Sequence, residues 1–263
     1  MQILRFGLIY RFQIIAFLTG LILMIYELIA ARLLAPTVGS SLYVWTSVIG
    51  VIIAALSLGY WAGGVLADTR KQRIDVVGLL LLAGLAMTLT LFLYSPVLDS
   101  LLQTGWDTRL QAVIAALILF TPNSFVLGMI SPYLVKLEVQ SLDVAGRKVA
   151  SLSALNSIGG IVGTFLAGFF LFGWIGSRET LIALVVIAIA SSWALQPKSG
   201  WHVRALISVL LLAAVLVGGL KDYQNIIDTA SARYTVVQWQ SDDRTIRGLL
   251  AGPSGIQSGV DIN

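Results

Sequence analysis

Two ionisable side chains, Glu27 and Arg32, lie in the segment YELIAARLL (26–34), inside an apolar run that begins near Phe12. A charged side chain at the middle of a bilayer costs about 2.5 to 3.5 kcal/mol on insertion scales, so such residues usually face a bundle interior and pair. Arg32 is close to the end of the run and can extend to the interface. Glu27 therefore has two interpretations: a carboxylate that binds a cation or a proton, or a structural charge held by a neighbouring helix.

A partner for Glu27 is expected on another helix. Glu27 and Arg32 are five positions apart, and side chains on one helix contact each other at separations of three and four. Asn156, inside the later apolar run NSIGGIVGTFLAGFF, is the polar candidate. Its amide could hydrogen-bond the carboxylate across a helix pair.

The segment LFTPNSFVLGMISPYLVKL predicts a kinked or broken helix. Pro122 and Pro132 each remove an intrahelical hydrogen bond, and membrane helices tolerate this where the freed backbone groups face protein or a water-filled cavity. Asn123, Ser124 and Ser131 are candidates to satisfy those groups. Broken helices often line substrate sites in transporters, and a simple packing kink explains the pattern equally well.

Composition places the chain in a membrane. The 263 residues are 57% hydrophobic and 11% charged, whereas soluble domains average about 25% charged residues. A transmembrane helix needs about 20 apolar residues. The sequence predicts an all-α polytopic protein of about seven spans, followed by a short β-hairpin tail; the spans are 12–34, 43–67, 75–97, 110–137, 149–174, 179–196 and 203–220. Residues 1–220 form the predicted membrane domain and residues 221–263 a soluble tail.

Positive charges favour a cytoplasmic N-terminus. Lysine and arginine are concentrated in alternate connections, which the positive-inside rule assigns to the cytoplasm. That set contains Arg5, Arg11, Arg70, Lys71, Arg73, Lys136, Arg147, Lys148, Lys198 and Arg204. Seven spans would then place the tail outside.

Small residues recur at four-residue spacing in the second and fifth predicted spans. Gly59, Gly63 and Gly64 fall in SLGYWAGGVLADTR, and Gly159 and Gly163 form a GxxxG pair. Small residues let membrane helices approach closely. A close helix pair at each position is the expectation.

Taken together, these segments resemble the membrane domain of the bacterial fused MFS/spermidine synthase family. The resemblance is carried by the first span with its glutamate and arginine, by the segment from Trp45 to Asp68, by the Ser131-Pro132 element and by NSIGGIVGTFLAGFFL. It implies a half bundle like that of a major facilitator transporter, with one additional helix. Gly64 and Asp68 match a facilitator loop signature, in which the glycine permits close packing and the aspartate contacts a neighbouring helix end. Lys71 stands where that signature has a glycine.

The tail extends the resemblance. SARYTVVQWQSDDRTIRGLLAGPSGIQSGVDIN is similar to the β-hairpin that opens an aminopropyltransferase domain, with Gln257 matching a residue that lines the pocket for decarboxylated S-adenosylmethionine. The nucleotide-binding and catalytic core of that family is not in this sequence, which therefore predicts no catalytic residue and no cofactor of its own. The tail is expected to dock on a separate aminopropyltransferase-like chain, on another copy of itself, or on the remainder of a longer protein.

Other chemistries have little support. One histidine and no cysteine make a transition-metal site improbable, and the balanced charges of the tail give no basis for nucleic-acid binding. Three hypotheses remain: a membrane module that anchors or feeds an aminopropyltransferase-type unit, an oligomeric transporter of a small polyamine-like cation with Glu27 as countercharge, or a structural subunit of a membrane complex.

Overall fold

A helical bundle and a small sheet make up the described chain. The computed structural model describes residues 10–70, 72–139, 141–195, 200–219, 226–229, 233–241, 244–250 and 256–261. The helices are α1 (Arg11–Val38), α2 (Leu42–Thr69), α3 (Arg73–Gln103), α4 (Thr108–Leu119), α5 (Thr121–Glu138), α6 (Ala145–Trp174), α7 (Gly176–Ala194) and α8 (Trp201–Gly219). Six of them are long and apolar enough to cross a membrane, and the bent pair α4–α5 is a further candidate. The prediction of a polytopic helical membrane protein is confirmed.

The break between α4 and α5 follows from the sequence around Pro122. Proline has no backbone N–H and is favoured in the first turn of a helix, and α5 begins at Thr121 with Pro122 in that turn. The two helices meet at an angle of 52°. Pro132 lies inside α5, so the chain is interrupted at one proline and continues through the other.

α6 contains a local irregularity of its own. Residues Ala167–Leu171 form a π-helical turn between the α-helical stretches Ala145–Leu166 and Phe172–Trp174. Single π-helical turns inside α-helices often occur at functional sites. This turn lies near the end of α6 that contacts α7.

Two helix pairs, α1–α6 and α2–α5, are packed backbone to backbone through glycine. A Cβ atom on Gly20 of α1 would collide with the backbone oxygen of Asn156, and one on Gly159 of α6 would collide with that of Phe17. At Gly163 the Cβ would lie 2.7 Å from the Leu21 oxygen. No residue larger than glycine fits these positions without moving the helices apart.

The α2–α5 pair repeats this arrangement. A Cβ on Gly128 of α5 would lie 2.8 Å from the backbone oxygen of Leu56, and one on Gly59 would collide with that of Phe125. Gly63 meets Met129 in the same way. Gly20 and Gly159 in one pair, and Gly128 and Gly59 in the other, each face a carbonyl three residues before the partner glycine, while Gly163 and Gly63 each face a carbonyl one residue after it.

The matched contacts relate α1–α3 to α4–α7 as an internal repeat. Gly20 corresponds to Gly128, and Gly59 corresponds to Gly159, while α3 packs against α7. The start of α1 lies beside the end of α5, since Gln13 Nε2 donates to Glu138 Oε1 at 3.2 Å. We call the glycine contacts of the α1–α6 and α2–α5 pairs the two glycine seams. Because α1 and its counterpart α5 run in opposite directions, the two halves are related as in the inverted repeats of many transporters.

The bundle has two polar ends, which we call the Arg11 end and the Arg32 end after residues at the two ends of α1. The C-terminal sheet lies at the Arg32 end, where the Arg32 guanidinium donates to the Thr229 backbone oxygen at 2.5 Å. The sheet is an antiparallel meander in the order β1 (Ile226–Asp228), β2 (Arg233–Ser241), β3 (Arg244–Leu250) and β4 (Ile256–Asp261). β1 was not expected from the sequence.

Candidate functional site

The centre of the bundle contains a hydrogen-bonded bridge between three helices. The Tyr26 hydroxyl of α1 lies 2.8 Å from Thr90 Oγ1 of α3, and it donates to the Leu119 backbone oxygen at 3.1 Å. Thr90 Oγ1 is also 2.9 Å from that oxygen. Leu119 is the last residue of α4, so these hydroxyls satisfy a carbonyl that the helix break leaves without its usual partner. Sequence reasoning missed this bridge because apolar neighbours surround both residues.

Polar side chains just beyond the break are buried without partners. Asn123 is fully buried, and neither its Oδ1 nor its Nδ2 has a hydrogen-bond partner among the described residues. Ser124 is equally buried, and its Oγ and that of Thr121 also lack partners there. Buried polar atoms are nearly always paired. The proposal that Asn123 and Ser124 satisfy the freed backbone groups is therefore wrong, and both remain available to water or to a ligand.

Glu27 lies next to the bridge on α1 and is half-buried. No hydrogen bond or ion pair joins its carboxylate to another residue in the part of the chain that the structure describes. The expected bond to Asn156 is absent among these contacts. Asn156 instead contacts α1 through its backbone oxygen at Gly20. The charge of Glu27 is therefore not compensated by any described side chain.

An open groove follows the α1–α6 seam close to Glu27. It has a volume of about 270 Å³. Its lining comprises Gly20, Leu23, Met24, Asn156, Ser157, Gly160, Ile161 and Thr164. Leu23 and Met24 precede Glu27 by one helical turn, which places the carboxylate beside one end of the groove. Asn156 and Ser157 offer polar atoms along its wall.

Arg32 connects α1 to three other parts of the molecule. Its Nε donates to Ser177 Oγ at 3.0 Å, its Nη2 donates to the Thr229 oxygen, and its Cζ lies 4.6 Å from the centre of the Phe172 ring. These groups belong to α7, the tail and the end of α6. These contacts hold Arg32 at the Arg32 end of the bundle.

Carboxylate–cation pairs lie at the Arg11 end. Lys136 at the end of α5 lies 2.5 Å from Asp68 at the end of α2, and Lys148 lies 2.5 Å from Glu138. Asp75 accepts from the Tyr133 hydroxyl. Asp68 thus contacts a neighbouring helix end, as the resemblance implied.

The remaining motif residues divide into two groups. Gly59, Gly63, Gly159 and Gly163 all lie at the backbone contacts of the two seams. Gly64 does not pack: a Cβ there would meet nothing within 4 Å, because this position is rotated away from α5. Pro132 and Gly64 instead line a second cavity of about 280 Å³ beside Asp68 and Lys136.

Gln257 is in β4, and its side chain lies outside the described residues.

Comparison with known proteins gives no relative: no family model, no curated protein and no solved structure matches the chain. The fold and the site define a multi-pass helical membrane protein with a half-buried carboxylate, Glu27, that no described side chain compensates. Its function has to be inferred from that group and its surroundings.

Proposed function

We propose that the bundle binds and passes a small organic cation of the polyamine class. The observation that carries this proposal is Glu27, a half-buried carboxylate inside a membrane helix with no compensating group among the described residues. Intramembrane carboxylates usually mark ion or substrate pathways. A cationic amine seated beside Glu27 would supply the missing charge, and Asn156 and Ser157 would accept its remaining N–H groups.

Two features of the bundle support transport over a purely structural role. The glycine seams relate its two halves as an inverted repeat, and α4–α5 is broken where Asn123 is buried without a described partner. In transporters, substrate sites lie near the midplane at the interface of such repeats and are often formed by broken helices. In this proposal α4–α5 is one broken span, which gives seven spans: a half bundle of the facilitator type plus α8. The N-terminus is cytoplasmic and the membrane is a bacterial inner membrane.

Uptake into proteoliposomes tests the role of Glu27. The full-length protein should accumulate radiolabelled spermidine above empty vesicles, and Glu27→Gln, which keeps the shape and removes the charge, should lower the initial rate about tenfold or more. Glu179→Gln is the matched control, because Glu179 is an exposed acid in the first turn of α7. Equal rates for wild type and Glu27→Gln would refute the proposal, as would the absence of uptake by the wild-type protein.

A second role is favoured by the sheet. β1 and β4 are edge strands of the described meander, and an open edge invites pairing with another chain. The tail is therefore proposed to dock a soluble aminopropyltransferase-like unit, which would use decarboxylated S-adenosylmethionine and the amine that the bundle supplies. Mass spectrometry of what co-purifies from native membranes tests this role. A stoichiometric soluble chain with a nucleotide-binding fold supports it, and recovery of this chain alone contradicts it.

A further inference from the structure

The strongest unassigned group outside the Glu27 site is Arg204, near the start of α8. Its side chain is buried, with 6% of its surface exposed. Its Cζ lies 4.1 Å from the centre of the Trp193 ring of α7. Neither Nε nor Nη1 has a hydrogen-bond partner among the described residues, and no described carboxylate forms an ion pair with it. A buried guanidinium stacked on an indole thus has unpaired N–H groups.

The chemistry of these N–H groups favours a phosphate. A guanidinium presents its donors in a planar fork that fits two oxygens of a phosphate or carboxylate, and the Trp193 ring covers one face of the group. Leaving such a charge buried and unpaired is costly. Trp193 is itself held in place, since its Nε1 donates to Ser208 Oγ at 3.1 Å.

An apolar groove of about 550 Å³ runs along α3 and α8, and its first α8 residue is Ile207, one helical turn after Arg204. Its lining comprises Gly78, Leu81, Leu82, Leu85, Thr88, Leu89 and Phe92 of α3 with Ile207, Leu210, Leu211 and Ala214 of α8. The hydroxyl of Thr88 donates to the Gly84 backbone oxygen at 2.8 Å. The groove therefore offers almost purely hydrocarbon surface.

The packing of α3 against α8 fixes where Arg204 lies relative to this groove. A Cβ on Gly200 would lie 3.7 Å from Ile74 Cδ1, and one on Gly84 would lie 3.5 Å from Leu211 Cδ1. The two helices are therefore parallel and in step, and Arg204, one turn after Gly200, is level with Gly78 at the start of the groove. Arg204 therefore lies level with the end of the α3–α8 groove that is at the Arg11 end of the bundle.

We infer that Arg204 and the α3–α8 groove form a binding site for an anionic phospholipid of the leaflet at the Arg11 end. The phosphate binds the Arg204 fork, and one acyl chain lies in the groove. From Gly78 to Phe92 the groove is about 20 Å long, longer than the roughly 15 Å that one leaflet contributes to the hydrocarbon core. A headgroup with net negative charge is favoured over a zwitterionic one, because a choline would add a second cation beside Arg204.

Native mass spectrometry of the full-length protein, washed free of lipid in mild detergent, tests the site. Titration with phosphatidylglycerol should show one bound lipid, held about tenfold more tightly than phosphatidylcholine. Arg204→Gln should weaken phosphatidylglycerol binding about tenfold, and Arg204→Lys should restore only part of it, since lysine lacks the fork. Arg147→Gln removes an exposed cation of α6 at the same end of the bundle and should leave binding unchanged.

A second variant tests the groove while retaining Arg204. A Cβ on Gly78 would meet nothing within 4 Å, so Gly78→Leu should fold and fill the channel, with weaker lipid binding. Leu206→Phe, on the exposed side of α8, is its control. The inference fails if Gly78→Leu binds lipid as the wild type does, if phosphatidylcholine binds equally well, or if millimolar inorganic phosphate displaces the lipid, since free phosphate is then the ligand. If Arg204→Gln does not fold, Gly78→Leu decides alone.

Discussion

The two glycine seams have the same packing and different chemistry. α1–α6 and α2–α5 meet through glycines that face carbonyls at equivalent positions. When Gly20 is aligned with Gly128, Glu27 corresponds to Val135; when Gly159 is aligned with Gly59, Asn156 corresponds to Leu56. The first seam therefore has polar groups at the middle of its helices, whereas the second has its ion pair, Asp68–Lys136, at one end. Close packing is common to both halves, and the groove beside Glu27 belongs to the α1–α6 pair.

The largest expected effect tests the shared packing. Gly59→Ala and Gly159→Ala each place a methyl group against a backbone oxygen, which cannot move aside as a flexible side chain would. Each should destabilise the bundle by about 3 kcal/mol or more, measured as thermal unfolding in mild detergent. Gly64→Ala and Gly168→Ala are the controls, because a Cβ at either position meets nothing within 4 Å. Similar unfolding temperatures for all four variants would show that the seams do not pack in this way.

Exchanging a residue between the seams sharpens their chemical difference. Asn156→Leu gives the first seam the residue found in the second, and the backbone oxygen that contacts Gly20 is retained. Stability should change by less than about 1 kcal/mol, since Asn156 is only half-buried, while spermidine uptake should fall about tenfold. Unchanged uptake would remove Asn156 from the proposed site. Leu56→Asn, the reverse exchange, should create no new uptake.

The bridge at the helix break distinguishes the halves at a third position. Tyr26 corresponds to Leu134 in the same alignment. Tyr26→Phe removes a hydroxyl bonded to Thr90 and Leu119, and Thr90 retains its bond to the Leu119 oxygen. The expected loss is about 1 kcal/mol of unfolding free energy. Tyr60→Phe, the same removal of a hydroxyl at an exposed tyrosine of α2, is the control. A Tyr26→Phe protein as stable as wild type would show that the bridge adds nothing.

The smallest expected effect concerns the ion pair of the second seam. The side chains of Asp68 and Lys136 are 69% and 45% exposed, and exposed pairs contribute about 0 to 1 kcal/mol. Asp68→Asn should therefore lower stability by less than about 1 kcal/mol, and the difference should disappear in high salt. Comparing Asp68→Asn, Lys136→Met and the double variant isolates the pair itself. A loss as large as that of Gly59→Ala would make Asp68 more than a surface charge.

The membrane-spanning helices could be predicted from the sequence. Each predicted apolar run falls on a described helix or on the bent pair, because about 20 apolar residues are needed to cross the hydrocarbon core. The break near Pro122 follows from the missing N–H of proline. The seam glycines of α2 and α6 were also singled out, since their spacing places them on one helix face, but Gly20 and Gly128 of the partner helices were not.

The neighbours across helices could not be predicted in the same way. A single helix shows which residues share a face but not which helix covers that face. Asn156 therefore looked like a partner for Glu27, although no described hydrogen bond joins the two and the Asn156 backbone oxygen contacts α1 at Gly20. Gly64 looked like a packing glycine although it faces open space. Arg204 looked like one of many interfacial cations, and its burial against Trp193 depends on residues that α7 contributes.

The contacts of Arg32 have a consequence for biogenesis. Arg32 is in α1, the first described helix to leave the ribosome, and it bonds Ser177 and Thr229, which are synthesised much later. Those bonds cannot form until α7 has been inserted and the chain has been translated past Thr229. The Arg32 end is therefore completed late in synthesis, and α1 remains in the membrane with an unfinished polar edge while α2 to α6 assemble around it.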